Sequence, residues 1–584
     1  MPNASPSCDS SSNLGSAMFG QVVPGCETVF SKDHSSKLDS NNRTPYKQHK
    51  YQEMVGGREK TIGKEQPSTI HNIDILMDTK TLRPLAGDNI RLLILQPGSF
   101  DGPIYCQLEQ VSLGAGHAYT ALSYVWGNAS DTSSISLDGK SYNITKNLEC
   151  ALRRLRYNTS PRVLWVDAVC IDQRNIKEKT HQVNMMGSIY KKCMQCLVWL
   201  GEIPTEVSEF TFSDASAALD FITMCAEYPE SLTEGIVDIF YAFKGIVNDF
   251  TGPVRGLDIG RLGENPLNMF QRWRYRNATD PRDKVYALMG LTGNMSLPTV
   301  QSCDYSIGTV SLYTAVTLDL IALEGGLRPL VGLRPVHSPD LPTWAIDLSR
   351  HSDVEASYSW WDHSHRYEWF DASWGKNLEW DRLEGDSVLS LSGVFIGHVE
   401  DIGSASTHAN VMEISEKELT GIIGSWKNVM ARYVEFRNPY PEYPNGSSLE
   451  DAFWRTMIGD LVTAEFPRQR AEYTDCQLVS EFYQNGTISE ILTSLRCMIV
   501  NQGFFITREG YIGIGPPDMA KGDEAWVLFG GNVPFILRPL GHAESWKCKN
   551  SNDYTLVGNA YVHGIMDGEA IDRPWNPQQN IRLH

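Results

Sequence analysis

The chain has no continuous run of about 18 apolar residues, the shortest length that spans a membrane as a helix. It also lacks an N-terminal basic segment followed by an apolar one, so we expect no secretory signal. No basic stripe is present, and 51 Lys and Arg against 70 Asp and Glu leave a net charge of −19, which repels phosphate backbones. These absences predict a chain with no membrane span and no nucleic-acid partner. Its 12 scattered cysteines indicate reduced thiols in an intracellular, cytoplasmic protein.

Common catalytic motifs are also missing. The chain has no Gly-x-Ser-x-Gly, no His-Glu-x-x-His and no phosphate-binding loop. Gly513 and Gly515 lie in a hairpin pattern that does not open a helix, which argues against a dinucleotide-binding turn. Cys193 and Cys196 have the spacing of a metal or redox pair, but no second close pair completes a zinc site. We therefore predict no metal site and expect both thiols to pack as small apolar groups.

The length of 584 residues exceeds what one hydrophobic core usually serves, so two or three domains are expected. A hydrophobic content of 41% and a charged content of 21% are typical of globular proteins. We predict a disordered polar tail, an α/β domain, a mixed and mostly helical region, and a small β-rich, barrel-like domain at residues 1–70, 86–300, 301–495 and 496–584. The third region contains a Trp-rich segment with Trp360, Trp361, Trp369, Trp374 and Trp380.

Short apolar strands alternate with helical stretches in the α/β domain. Strands are predicted at residues 90–95, 119–125, 163–169 and 196–200, and helices at 148–155 and 178–193. This alternation predicts a mainly parallel sheet flanked by helices. A later helix is predicted to begin at Pro281, capped by Asp280, and to end before Gly290.

The densest group of polar residues accompanies the strand predicted at 163–169. Asp167 lies near the carboxyl end of that strand, the edge at which ligands bind in open α/β sheets. Asp172, Gln173 and Glu178 follow in the next loop and the first turn of a helix. Carboxylates that share a crevice can act as acid or base because their pKa values shift. The alternative is structural, with caps and backbone acceptors in place of catalytic groups, and the residues alone leave both interpretations open.

Three blocks of sequence resemble those of the fungal heterokaryon-incompatibility (HET) domain family. They occupy residues 119–127, 164–201 and 280–291, in the order and with the spacing of that family. The resemblance implies a fungal protein of non-self recognition whose HET domain triggers regulated cell death when incompatible cells fuse. The partner that it implies is a protein from an incompatible allele or locus, and self-assembly is a further expectation.

The first two blocks supply a candidate ligand crevice. Its residues are Ser123, Tyr124, Trp126, Gly127, Cys170, Asp172, Gln173 and Gln182. The HET domain is distantly similar in strand order to Toll/interleukin-receptor (TIR) domains, some of which cleave NAD. In that comparison the strands at 121–124 and 164–167 take the first two TIR positions, and the catalytic glutamate falls near Glu202. The TIR-like sequence Trp-Cys-x-x-Glu is absent there.

Three functions follow as hypotheses, and the first of them leads. It is a cell-death effector that is engaged by a protein partner. The second is an NAD-cleaving, TIR-like enzyme in which Asp167, Glu178 and Glu202 are the candidate catalytic carboxylates and NAD is the substrate. The third is a non-enzymatic interaction or scaffold protein without an incompatibility role, whose acidic surface and tryptophans at 360–380 contact partners. No cofactor is predicted with certainty.

Overall fold

The apolar segments between residues 90 and 200 form strands of one sheet in the computed structural model. The chain divides into two units, Met1–Ser231 and Leu232–His584. The structure describes residues 27–28, 84–199, 201–202, 266–273, 278–289, 297–332, 338–349, 367–383, 387–405, 414–437, 443–462, 469–486, 491–540, 552–571 and 577–584. The tail predicted at residues 1–70 lies outside the described residues, apart from 27–28.

The first unit is built on an eight-stranded sheet. Its strands are β1 (Glu27–Thr28), β2 (Asn89–Leu95), β3 (Tyr105–Ser112), β4 (Thr120–Tyr124), β5 (Thr132–Leu137), β6 (Lys140–Thr145), β7 (Arg162–Trp165) and β8 (Gln195–Trp199). Their order across the sheet is β1-β8-β4-β7-β2-β3-β5-β6. β4 pairs in parallel with both β7 and β8, whereas β2 pairs antiparallel with β7 and β3. The sheet is therefore mixed, with a parallel part around β4.

The helices of this unit follow from the apolar periodicity of the sequence. They are α1 (Lys146–Leu155), α2 (Asp167–Cys170) and α3 (Ile176–Lys192). In α1 the residues spaced by three, four and seven positions are buried, namely Leu148, Ala151, Leu152 and Leu155. Asn175 caps α3 by accepting a hydrogen bond from the backbone N–H of Glu178 at 3.2 Å. The α/β class predicted from the sequence is confirmed.

The segment predicted as one strand at 163–169 is divided in two. β7 ends at Trp165, and α2 follows as a single helical turn in which the N–H of Cys170 donates to the carbonyl of Val166 at 2.7 Å. Asp167 favours this turn because its Oδ1 accepts a hydrogen bond from the N–H of Ala168. The strand prediction was wrong for its second half, because a short apolar run has the same sequence pattern in a buried strand and in a buried helical turn.

The second unit contains a closed β-barrel. The described strands of the second unit are β9 (Trp380–Leu383), β10 (Val388–Ile402), β11 (Leu461–Val462), β12 (Gln469–Arg470), β13 (Gly503–Thr507), β14 (Ile512–Gly515), β15 (Glu524–Leu528), β16 (Phe535–Pro539), β17 (Asp553–Asn559), β18 (Tyr561–Val562) and β19 (Gln579–Leu583). β11 and β12 form a separate two-stranded sheet. Strands β15, β16, β17, β19 and β10 pair in sequence, and β10 pairs again with β15, which closes the ring. β9 and β10 join this sheet although they precede residue 496. The hairpin predicted around Gly513 appears as the antiparallel pair β13–β14, and β15 and β16 form a second antiparallel pair.

Helices of the second unit lie before and between these strands. They are α4 (Pro266–Trp273), α5 (Asp283–Met289), α6 (Thr309–Glu324), α7 (Glu416–Arg437), α8 (Leu449–Met457), α9 (Tyr473–Asn485) and α10 (Ile491–Ile499). Before α5, Asp280 accepts a hydrogen bond from the N–H of Arg282 at 3.1 Å, which agrees with the predicted cap. Of the Trp-rich segment, Trp360 and Trp361 lie outside the described residues, and Trp380 opens β9.

Closure of the barrel depends on a close approach of two backbones at Gly393. A Cβ atom at this position of β10 would lie 2.6 Å from the carbonyl oxygen of Val527 in β15. We expect Gly393→Ala to lower the free energy of unfolding by about 1–3 kcal/mol, because the two strands must separate to admit the methyl group. Gly421→Ala in α7 is the matched control: no atom lies within 4 Å, and alanine favours a helix. Urea unfolding checks both, and a Gly393→Ala variant as stable as the parent would contradict the close approach.

Candidate functional site

The parallel strands of the first unit place the candidate residues at one edge of the sheet. β7, β4 and β8 are neighbours, so their carboxyl ends lie at the same edge. β4 ends at Tyr124 and is followed by Trp126, β7 is followed by Asp167, and β8 is followed by Glu202. The two HET-like blocks are thus brought together by strand pairing, although they are about 40 residues apart in sequence.

A hydrogen bond between Trp126 and Asp167 joins the two blocks directly. The indole Nε1 of Trp126 donates to Oδ2 of Asp167 at 2.9 Å. The other carboxylate oxygen accepts from the N–H of Ala168 at 2.8 Å, and the side chain of Gln173 donates to the backbone carbonyl of Asp167 at 3.0 Å. Donors on both oxygens orient the carboxylate, because hydrogen bonds to charged groups are the stronger ones in proteins.

Glu178 has a buried partner that the sequence reading missed. Arg91 of β2 donates from Nη1 to Oε1 of Glu178 at 2.5 Å and from Nη2 to Oε2 at 2.9 Å. Both side chains are at most 4% exposed. Arg91 also donates to the carbonyl of Cys170 at 3.0 Å, which ties it to the end of α2. A lone arginine inside the apolar run at 90–95 was the available signal, since a buried cation needs a partner.

The surroundings of Glu178 keep it ionised. Burial raises the pKa of its carboxyl, but hydrogen bonds from Arg91 and from the backbone N–H groups of Asp172 and Leu85 outweigh burial and hold the pKa below its usual value. The carboxylate is thereby engaged on both oxygens. This arrangement fixes the loop between α2 and α3 in place.

A cluster of tyrosines lies beside Asp167. The hydroxyl of Tyr124 is buried and makes no hydrogen bond within the described part of the chain. Burial and the nearby carboxylate of Asp167 raise the pKa of Tyr124 well above its usual value, so the hydroxyl stays protonated. The hydroxyls of Tyr142 and Tyr190 instead donate to backbone carbonyls at 3.4 and 3.3 Å. Tyr124 is therefore a buried donor whose hydrogen bond is not supplied by any described residue.

The other candidate residues occupy structural positions around this centre. Ser123 lies in β4 opposite Val198, and Gly127 adopts a left-handed conformation with φ of +78° just after the strand. Burial raises the pKa of the Cys170 thiol to about 12, which makes it a poor nucleophile. Asp172 accepts at Oδ1 from the N–H of Arg174, and Gln182, fully buried, donates to the carbonyl of Asn89 at 2.9 Å.

Glu202 follows β8 and pairs with α1. Its carboxylate accepts hydrogen bonds from the guanidinium of Arg154 at 3.0 and 3.3 Å, with a side chain 37% exposed. Glu202 can thus turn toward solvent or ligand at small cost, since exposed ion pairs are weak.

Neither a metal site nor a membrane span emerges from the described residues. No group of three or more His, Cys, Asp or Glu among them is placed to hold a metal ion. Cys193 donates from its thiol to the carbonyl of Tyr190 at 3.0 Å, and neither Cys193 nor Cys196 forms a disulfide bond among the described residues. Within the same residues, no helix is long and apolar enough to cross a bilayer.

Comparison with known proteins identifies both units. Residues 119–228 match the model of the heterokaryon incompatibility protein (HET) family, and residues 490–577 match the Het-6 β-barrel domain. Residues 119–228 are thus similar to HET domains, as the sequence blocks implied, and residues 490–577 are similar to Het-6 barrels.

Two curated fungal proteins are similar to this chain. The chain is 22% identical to heterokaryon incompatibility protein 6, OR allele, of Neurospora crassa, across 83% of this chain and 94% of that protein. It is 25% identical to vegetative incompatibility protein HET-E-1 of Podospora anserina, across 49% of this chain and 22% of that protein. No solved structure matches.

The ion pair between Arg91 and Glu178 predicts a pH-dependent stability. Because the folded-state pKa of Glu178 is depressed, its contribution to stability is complete above the ordinary glutamate pKa of 4.5 and is lost as pH falls through the folded-state pKa. We expect Glu178→Gln to lower the free energy of unfolding by about 3 kcal/mol at pH 7, and this difference from the parent to shrink below pH 4.5.

The control is Asp131→Asn, which removes an exposed ion pair with Lys146 and should change stability little. Urea unfolding at pH 7, 5 and 4 measures both variants. A Glu178→Gln difference that stays constant or grows on acidification would contradict the depressed pKa.

Proposed function

We propose that this chain is a fungal heterokaryon-incompatibility protein whose HET domain triggers regulated cell death when it meets an incompatible protein partner. The observation that carries the proposal is the likeness to heterokaryon incompatibility protein 6, which covers 83% of the chain. The separate matches to the HET and Het-6 barrel models support it. Cytoplasmic residence and self-assembly belong to the same proposal. The partner is a protein encoded by an incompatible allele or locus.

The crevice at the edge of the parallel strands is the proposed working part of the HET domain. It is formed by the first two of the three sequence blocks that carry the family resemblance, and the bond between Trp126 and Asp167 joins them. Asp167 is half-buried, so an incoming ligand or partner group can reach it. The buried ion pair of Arg91 and Glu178 fixes the end of α2, the helical turn that begins at Asp167, and the loop that follows it.

Forced expression in a fungal host should therefore kill cells, and Asp167→Ala should prevent that death. The substitution removes the acceptor of the Trp126 indole and the charge of the crevice while leaving the buried core unchanged. Colony formation after induction measures the effect, and we expect the variant to grow like cells that carry an empty vector.

Asp101→Ala is the matched control, because it removes a carboxylate from an exposed position of the same unit. Thermal unfolding of both purified variants excludes misfolding as the cause. Death at the parental rate with a folded Asp167→Ala variant would contradict a role for this crevice.

A second candidate function is cleavage of NAD by a TIR-like HET domain. It is favoured by the Tyr124 hydroxyl, which is protonated, buried and without a hydrogen bond in the described residues, beside the carboxylate of Asp167. A carboxylate at this edge can stabilise the positive charge that develops on the ribose as nicotinamide leaves. The N-glycosidic bond breaks as nicotinamide leaves with the bonding electron pair, and water then adds to the ribose carbon and gives up a proton to a carboxylate. Asp167 and Glu202 are the proposed carboxylates, and Glu178 is a positioning group through its pair with Arg91.

If the chain cleaves NAD, intracellular NAD should fall before viability does, and Tyr124→Phe should slow the fall by roughly a hundredfold, because it removes one hydrogen-bond donor from the site. The variants Glu202→Gln and Asp167→Asn show which of the two carboxylates is catalytic, because the loss of that one should slow the fall in NAD. Tyr105→Phe, at an exposed position of β3, is the matched control. Steady NAD during cell death would contradict the enzymatic candidate and leave the effector proposal in place.

A further inference from the structure

A short loop of the second unit is fixed to the barrel at several points. The N–H of Asp371 donates to the carbonyl of Met566, and the N–H of Ala372 donates to the carbonyl of Asn532, both at 3.0 Å. Lys376 accepts a hydrogen bond from the N–H of Gly530, also at 3.0 Å. With backbone hydrogen bonds on both flanks, the loop holds its apex in a defined place.

Trp374 stands at the apex of this loop in a conformation that costs energy. Its φ of +51° is in the left-handed region, which is disfavoured by roughly 1–2 kcal/mol for a residue with a side chain. The carbonyl of Asp371 accepts from the N–H of Trp374 at 3.0 Å, and its carboxylate accepts from the N–H of Gly375 at 3.1 Å. The indole is nevertheless 61% exposed, so the strain does not serve burial. Strain of this kind is typical of recognition sites.

The indole rests on a backbone segment that is flanked by acidic residues. A Cβ atom at Gly568 would lie 2.5 Å from Cε3 of Trp374, so the glycine allows the ring to approach the backbone. Its neighbours Asp567 and Glu569 are both exposed carboxylates. An aromatic face beside carboxylates attracts a cation by the ring quadrupole and by charge together.

Charge on the rest of this loop is mixed, because the exposed Lys376 follows Trp374. Glu368 and Asp371 are exposed acidic residues that precede Trp374, and Arg328 pairs with Glu368 at 2.5 Å. Arg470 pairs with Asp567. The whole chain carries −19, so an acidic partner is repelled over a long range while a basic one is attracted.

We propose that the face of Trp374, with Gly568 beneath it and Asp567 and Glu569 beside it, binds an Arg or Lys side chain in a basic segment of a partner protein. The inference rests on the proposed function, which requires a protein partner. In this arrangement the indole ring contacts the Arg or Lys side chain of the partner, and the carboxylates favour a positively charged side chain over a negatively charged one. The rigid loop reduces the entropy that is lost on binding, because the ring is already oriented.

A peptide-binding assay on the purified full chain tests this surface. The probe is a fluorescein-labelled peptide of about 12 residues in which Arg and Lys alternate with Gly and Ser, measured by fluorescence anisotropy in about 0.15 M salt. Trp374→Gly should weaken binding at least about fivefold, which is the size of a cation–π contact. Glycine suits the left-handed backbone, so the variant removes the ring and should fold.

Two controls define the alternatives. Tyr473→Ala removes another aromatic side chain of the same unit, 63% exposed, and should leave binding unchanged. The same peptide with Glu in place of Arg and Lys should not bind. Parental affinity in a folded Trp374→Gly variant, an equal loss in Tyr473→Ala, or no binding by the parent chain would each overturn the proposal.

The peptide assay measures binding alone and involves no cell death. A negative result in this assay therefore leaves the proposed function unaffected. Conversely, a chain that binds the peptide through Trp374 but never kills a fungal cell would keep this surface and contradict the incompatibility function.

Discussion

The ion pair between Arg91 and Glu178 holds the candidate site of the first unit together. It joins β2 to the start of α3, and through the carbonyl of Cys170 and the N–H of Asp172 it also fixes the beginning of the loop that follows α2. Two buried charges are costly to desolvate, and they remain stable only when every donor and acceptor is satisfied. Here the guanidinium and the carboxylate satisfy each other and adjacent backbone groups. The position of Asp167, and with it the bond from Trp126, depends on that arrangement.

The residues of the crevice could be identified from sequence, but the pair beneath them could not. Asp167, Gln173 and Glu178 attract notice because they are polar and close together after an apolar strand. Arg91 is 87 positions from Glu178, so no local pattern connects them. The helical turn α2 was missed for a related reason, since burial on all sides erases the periodicity that separates strand from helix.

In the barrel, too, contacts between residues far apart in sequence could not be predicted from local patterns. Its hairpins are local and were predicted, whereas its closure is not local. β10 lies more than 120 residues before β15 in sequence, and only the fold brings their backbones to the close approach at Gly393. The barrel unit also carries a strained, exposed tryptophan on an acidic surface, a combination that neither composition nor periodicity reveals. Each unit therefore has one feature suited to recognition, the crevice of the HET domain and the loop of the barrel.

The most direct measurement is the survival of fungal cells that express Trp126→Phe. This change keeps an aromatic ring at position 126 and removes the N–H group that orients Asp167, together with the second ring of the indole. If the crevice of the HET domain executes cell death, cells that express the folded variant should survive, whereas cells that express the parent chain should die. Death at the parental rate, with unchanged thermal stability of the purified variant, would contradict the account.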